Sequence, residues 1–81
     1  MKLKKMMIDY LKSNLSLLQP LPTETFFELG IDDIERFDML DYLDGKLSNL
    51  NYKGNITDTF TDFDDTNTIE EVVTLIFNFI N

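Results

Sequence analysis

Six carboxylates crowd the stretch from 32 to 44: Asp32, Asp33, Glu35, Asp38, Asp41 and Asp44. A second group holds Asp58, Asp62, Asp64, Asp65, Glu70 and Glu71. Carboxylates can act as general acids and bases or as ligands for hard cations. Neither chemistry is expected here. Acid–base work needs a carboxyl tuned by burial, and acids on exposed helix faces titrate normally. Asp62-x-Asp64 opens like a calcium loop, but Asn67 stands where that loop needs Gly and Val73 where it needs Glu. Loose divalent association that relieves charge repulsion is expected instead. The chain has no His and no Cys. That removes imidazole and thiolate catalysis and the commonest zinc ligands. There is no glycine-rich phosphate loop and no nucleophile–base pair. The residues therefore describe a non-enzyme with no cofactor and no metal.

The elements that must position these acids are helical. Leu3, Met6, Met7, Tyr10, Leu11, Leu15 and Leu18 recur at three- and four-residue spacing, which predicts a first helix ended by Pro20 and Pro22. A loop over 19–32 follows, long enough to have a job or a short ordered turn. Phe26, Phe27 and Leu29 should tuck into the core, and Gly30 reads as a turn residue with positive φ. A second helix is expected from Asp33 to Leu47 or Leu50. Asp32 suits its N-cap and Glu35 the third position of a capping box. Phe37, Leu40, Leu43 and Leu47 should face inward, with Met39 beside them. Residues 51–67 break any long period, although Ile56, Phe60 and Phe63 suggest one short helix or turn on the core. The last helix should start near Thr68, capped with Glu71. Ile69, Val72, Val73, Ile76 and Ile80 form its stripe, and Leu75, Phe77 and Phe79 leave it apolar on more than one side.

Residues 26–34 read Phe-Phe-Glu-Leu-Gly-Ile-Asp-Asp-Ile. This resembles the prosthetic-group motif of acyl and peptidyl carrier proteins, Phe-Phe-x-Leu-Gly-x-Asp-Ser-Leu. The resemblance continues without a gap through Ile34, Glu35, Phe37, Asp38, Met39, Leu43, Asp44 and Leu47. It resumes at Thr68-Ile69 and covers roughly residues 3–80. It implies a single all-α domain over 1–81, a small carrier-protein-like bundle of three main helices and one short one. In that family the Ser hydroxyl carries 4′-phosphopantetheine. Here Asp33 occupies the slot, and Ser13, Ser16 and Ser48 sit at no comparable helix start. An acid suits the first turn of a helix but offers no hydroxyl. On the helix-start argument alone, Asp33→Ser should fold equally well.

The family presents this second helix to basic patches on partner enzymes. The resemblance therefore implies docking through Asp33, Ile34, Glu35, Asp38, Asp41 and Asp44. Glu35, Asp38 and Asp44 match the family's acidic positions. Arg36 and Asp41 stand where many carriers have apolar side chains that also touch partners, which implies a private partner. The expected function is docking to an enzyme of a fatty-acid, polyketide or peptide-synthetase-type pathway. Two alternatives stay open: a carrier that holds its cargo by another route, and an acidic inhibitor or immunity-type binding protein.

Charge and size agree with a small protein-binding module. Eighty-one residues make one small domain. A hydrophobic content of 43% is enough for one packed core rather than disorder. The net charge of −8 argues against nucleic acid and for a protein partner with a basic patch. Residues 1–12 carry +3, so the remainder carries −11. The lysine-rich start does not read as a signal peptide, because Asp9 and Lys12 break its apolar run. A membrane-surface role for its lysines is disfavoured, since the rest of the domain would be repelled by anionic lipid. No apolar run approaches the roughly 20 residues of a membrane span. A cytoplasmic monomer is expected.

Overall fold

A computed structural model describes residues 3–49 and 54–80. The described chain is all-helical: α1 (Leu3–Asn14), α2 (Asp33–Ser48), a short 3-10 helix (Ile56–Asp62) and α3 (Ile69–Ile80). The arrangement is a bundle of three helices and one short one, 32 × 23 × 21 Å. α1 lies against both α2 and α3, and the 3-10 helix also packs on both. The core takes Leu3, Met7 and Leu11 from α1, and Met39, Leu40, Leu43 and Leu47 from α2. Ile56 of the 3-10 helix and Ile69, Val72 and Ile76 of α3 join them, with Tyr10 of α1 and with Phe26, Ile31 and Phe63 from the connecting segments.

α1 is shorter than its periodicity predicts. It ends at Asn14, and Leu18 is 95% exposed. The stop precedes both prolines. Ser16 turns into the left-handed region at φ 56°, and the Leu11 carbonyl accepts both Leu15 N–H and Leu17 N–H. A positive φ on a non-glycine residue takes the chain out of helix before proline can matter.

The 19–32 loop is ordered by backbone pairing. Thr25 makes an antiparallel bridge with Thr68. Phe26 N–H donates to Asn67 O and Phe27 N–H to Asp65 O. In return, Ile69 N–H donates to Glu24 O and Glu70 N–H to Pro22 O. Thr68 and Glu71 satisfy the other two as a capping box, Glu71 N–H donating to the Thr68 hydroxyl and Thr68 N–H to the Glu71 carboxylate. All four orphan N–H groups at the start of α3 are thereby satisfied. The loop's job is to cap α3.

Residues 26–31 close the loop in a turn with a Schellman pattern. Ile31 N–H reaches Phe26 O, Gly30 N–H reaches Phe27 O, and Gly30 sits at φ 73°. The turn buries Phe26 and Ile31. Phe27 points the other way and is 73% exposed. Side chains one residue apart in a turn face different directions, so only one of the Phe26–Phe27 pair could enter the core.

α2 begins as expected. The Asp32 carboxylate accepts Glu35 N–H at 2.8 Å, and the Glu35 carboxylate accepts Asp32 N–H at 3.0 Å. Its inner face differs by one residue. Arg36 is buried and Phe37 is 43% exposed, the reverse of the expected assignment. Helix α2 ends at Ser48; Leu50 lies outside the described residues. Phe77 and Phe79 are exposed on α3, so that helix is apolar on more than one side.

Candidate functional site

Asp33 is the first residue of α2, one step past its N-cap. Its side chain is 83% exposed, and Oδ1 accepts a hydrogen bond from Arg36 Nη2 at 2.5 Å. The next residue, Ile34, is 72% exposed. An open groove of about 260 Å³ runs beside them, lined by Asp33, Ile34, Phe37, Asp38 and Phe60. Its walls are apolar and its two carboxylates stand at the rim. The volume lies below the roughly 300–1,000 Å³ of pockets that enclose drug-sized ligands, so it suits an inserted side chain. A second hollow, sharing Asp33 and Ile34 with the first, is lined by Asp32, Asp33, Ile34 and Asp65.

The two rings that line the groove, Phe37 and Phe60, continue inward as an aromatic series with a cation inside it. Phe37 meets Phe60 edge-on at 5.5 Å between centroids. The Arg36 guanidinium carbon lies 5.5 Å from the Phe60 ring and 5.7 Å from Phe63. Phe63 in turn meets Phe26 at 5.8 Å. At these distances the rings attract the guanidinium through their quadrupoles. The series runs from the buried Phe26 to the half-exposed Phe37, and its guanidinium is tied to Asp33.

The acids expected to dock a partner divide into two groups. Asp33, Asp38 and Asp41 are exposed. Asp38 and Asp41 accept no hydrogen bond from any described residue, and with Glu35 they hold a negative field over Tyr10. Burial, reinforced by Asp38, Glu35 and Asp41, raises the Tyr10 phenol above its ordinary pKa. Glu35 spends one carboxylate oxygen on its capping box. Asp44 is half-buried and turned inward: Oδ1 accepts Ile56 N–H at 2.6 Å and Oδ2 accepts Thr57 N–H at 3.2 Å. It caps the 3-10 helix, whose own N-cap residue Asn55 accepts the Thr57 hydroxyl but makes no side-chain capping bond to the backbone. Asp44 is therefore a structural residue here, and Arg36 withdraws from the surface altogether.

The second acidic group does similar local work. The Asp64 carboxylate accepts the Thr66 hydroxyl and N–H, which hold its pKa low with help from Arg36. Glu71 is lowered by the Thr68 N–H and Asn67. Glu70 pairs with Lys4 at 3.8 Å. No three of these acids converge as a metal site among the described residues. A third capping box, Thr25 with Glu28, escapes the sequence reading although Thr-x-x-Glu is its plain signature. Hydrogen bonds from Thr25 N–H and hydroxyl hold the Glu28 pKa low.

Comparison with protein-family models, with curated proteins and with solved structures finds no match.

Proposed function

We propose that this chain is a carrier-protein-like docking module without a phosphopantetheine arm. It binds a partner enzyme of a fatty-acid, polyketide or peptide-synthetase-type pathway through Asp33, Ile34, Asp38 and Asp41. The observation that carries the reading is the face at the start of α2. The acid in the slot of the carrier motif borders a small apolar groove with exposed Ile34 and Phe37, and further acids flank it. A partner would offer one apolar side chain for the groove and basic groups for the rim, with the charges mainly guiding association. Among the described residues no helix is long and apolar enough to cross a membrane.

The arrangement also favours one second reading. Asp44 and Glu35, two of the three acids matched to carrier positions, are engaged inside the domain. That weakens the carrier match and leaves an acidic face equally suited to a basic target of an inhibitor or immunity-type protein. Titration of labelled protein with purified enzymes from neighbouring genes separates the two, read by amide shifts. Saturable shifts at 33–41 with a synthase or transferase, weakened by salt, support docking. Binding to a toxin-like neighbour and to no biosynthetic enzyme would transfer the proposal to the second reading.

A further inference from the structure

Asp33 is tied to a buried charge, which gives the slot an occupant with its own structural duty. The Arg36 side chain is 6% exposed. Its Nε and Nη1 are buried and find no acceptor among the described residues. Its one hydrogen bond runs from Nη2 to Asp33. Asp64 contributes only through charge. A guanidinium removed from water needs a counterion, and taking away one partner of such a pair leaves an uncompensated buried charge. Replacing both partners by a packed apolar side chain and a neutral one is often neutral or stabilising.

We propose that Arg36 is a specificity-determining residue of the slot. By folding under Asp33 between Phe60 and Phe63, it requires a carboxylate at position 33 and holds that position against a hydroxyl. The functional half of this proposal rests on the carrier reading; the coupling between the two residues does not. A serine at this position becomes tolerable only when Arg36 is exchanged for an apolar side chain of similar reach, and Met fits that description. In the doubly exchanged protein a transferase can act. The new hydroxyl oxygen attacks the pantetheine-bearing phosphorus of coenzyme A, and the pyrophosphate bond breaks. 3′,5′-Adenosine bisphosphate leaves, and the hydroxyl proton passes to a base of the transferase.

The test uses native protein, Asp33→Ser, Arg36→Met, the double variant and the conservative Asp33→Glu. Thermal melting and mass spectrometry after incubation with coenzyme A and a broad-specificity transferase are read in parallel. Asp33→Ser should lower the midpoint by roughly 5–10 °C, toward the low end because Asp33 itself is solvated. In the Arg36→Met background the same exchange should cost under about 2 °C, the signature of coupled residues. Asp33→Glu should recover most of the loss. The double variant should be modified to a higher yield than Asp33→Ser, and native protein not at all. An equal cost of Asp33→Ser in both backgrounds, or a double variant that fails to fold while Arg36→Met folds, overturns the pairing and leaves the carrier reading standing. Coupled melting with a folded double variant that several transferases ignore overturns the carrier reading and with it the slot-closing role.

Discussion

The Asp44 carboxylate of α2 accepts the backbone N–H of Ile56 at 2.6 Å, twelve residues further along the chain. With Thr57 N–H on its other oxygen, Asp44 anchors the 3-10 helix to α2. That helix carries Phe60, which forms one wall of the groove. An acid at one of the matched carrier positions therefore helps to place a wall of the groove through the 3-10 helix.

Asp44→Ala should cost about 1–2 kcal/mol, the usual loss when a cap is removed. The midpoint should fall by roughly 4–16 °C for a domain of this size. Asp44→Asn keeps one acceptor and should cost less. The salt dependence of partner binding should be unchanged in Asp44→Asn, because the carboxylate faces the 3-10 helix. A steep loss of binding with unaltered melting would return Asp44 to the docking set.

Acid should unfold the protein through its caps. Glu28, Asp64 and Glu71 all have folded pKa values below their ordinary ones. A lowered folded pKa contributes stability that is complete above the unfolded value and is lost as pH falls through the folded one. Stability from these groups should thus hold from pH 7 down to about 5 and decline below about pH 4.5. Denaturant midpoints across this range check the sign. Glu71→Gln should flatten the acid limb while preserving most of the hydrogen bonding. A midpoint that rises steadily to pH 3 would mean that relief of net charge outweighs the caps.

The bundle was legible because its signals are local. Asp32 with Glu35 and Thr68 with Glu71 announce helix starts within four residues, and the Leu40–Leu43–Leu47 spacing announces a buried face. Arg36 and Phe37 were not legible in the same way. Phe37 has the hydrophobicity for burial, yet the space beneath the first turn of α2 is taken by Phe60 and Phe63 from a distant segment. Those rings favour a cation held by Asp33. The capping role of Asp44 was hidden for the same reason: its partners are twelve and thirteen residues away, in the stretch with the weakest periodicity. The loop's tie to α3 depends on backbone carbonyls at Pro22 and Glu24, and backbone groups leave no trace in side-chain pattern.

Stability should rise with ionic strength. Residues 13–81 carry −11, and such self-repulsion weakens a compact state. Magnesium at millimolar concentration should help more than sodium at equal ionic strength through loose association. Melting at low and high salt measures the effect. A flat or falling midpoint would show that the intramolecular pairs, Lys5–Asp9 at 2.8 Å and Lys4–Glu70 at 3.8 Å, dominate the response, because salt weakens pairs of this kind.

The proposed docking face should separate into a steering part and an anchoring part. Asp38→Lys and Asp41→Lys reverse charges that make no hydrogen bond to any described residue, so they should leave folding nearly intact. They should slow association with a basic partner, and the loss should shrink as salt is added. Phe37→Ala acts differently. It removes one wall of the groove and the edge-on contact with Phe60, while the charges stay in place. Its effect should appear mainly in faster dissociation and should persist at high salt. The transferase reaction of the Asp33→Ser, Arg36→Met protein offers a measurable partner for both. There the charge reversals should raise KM several-fold at low salt, and Phe37→Ala should lower kcat/KM at any salt. Charge reversal at Lys4 and Lys5 is the control on the opposite sign of surface. If those lysines govern binding while Asp38, Asp41 and Phe37 are silent, the partner sits on α1 and the start of α2 is only a well-capped helix.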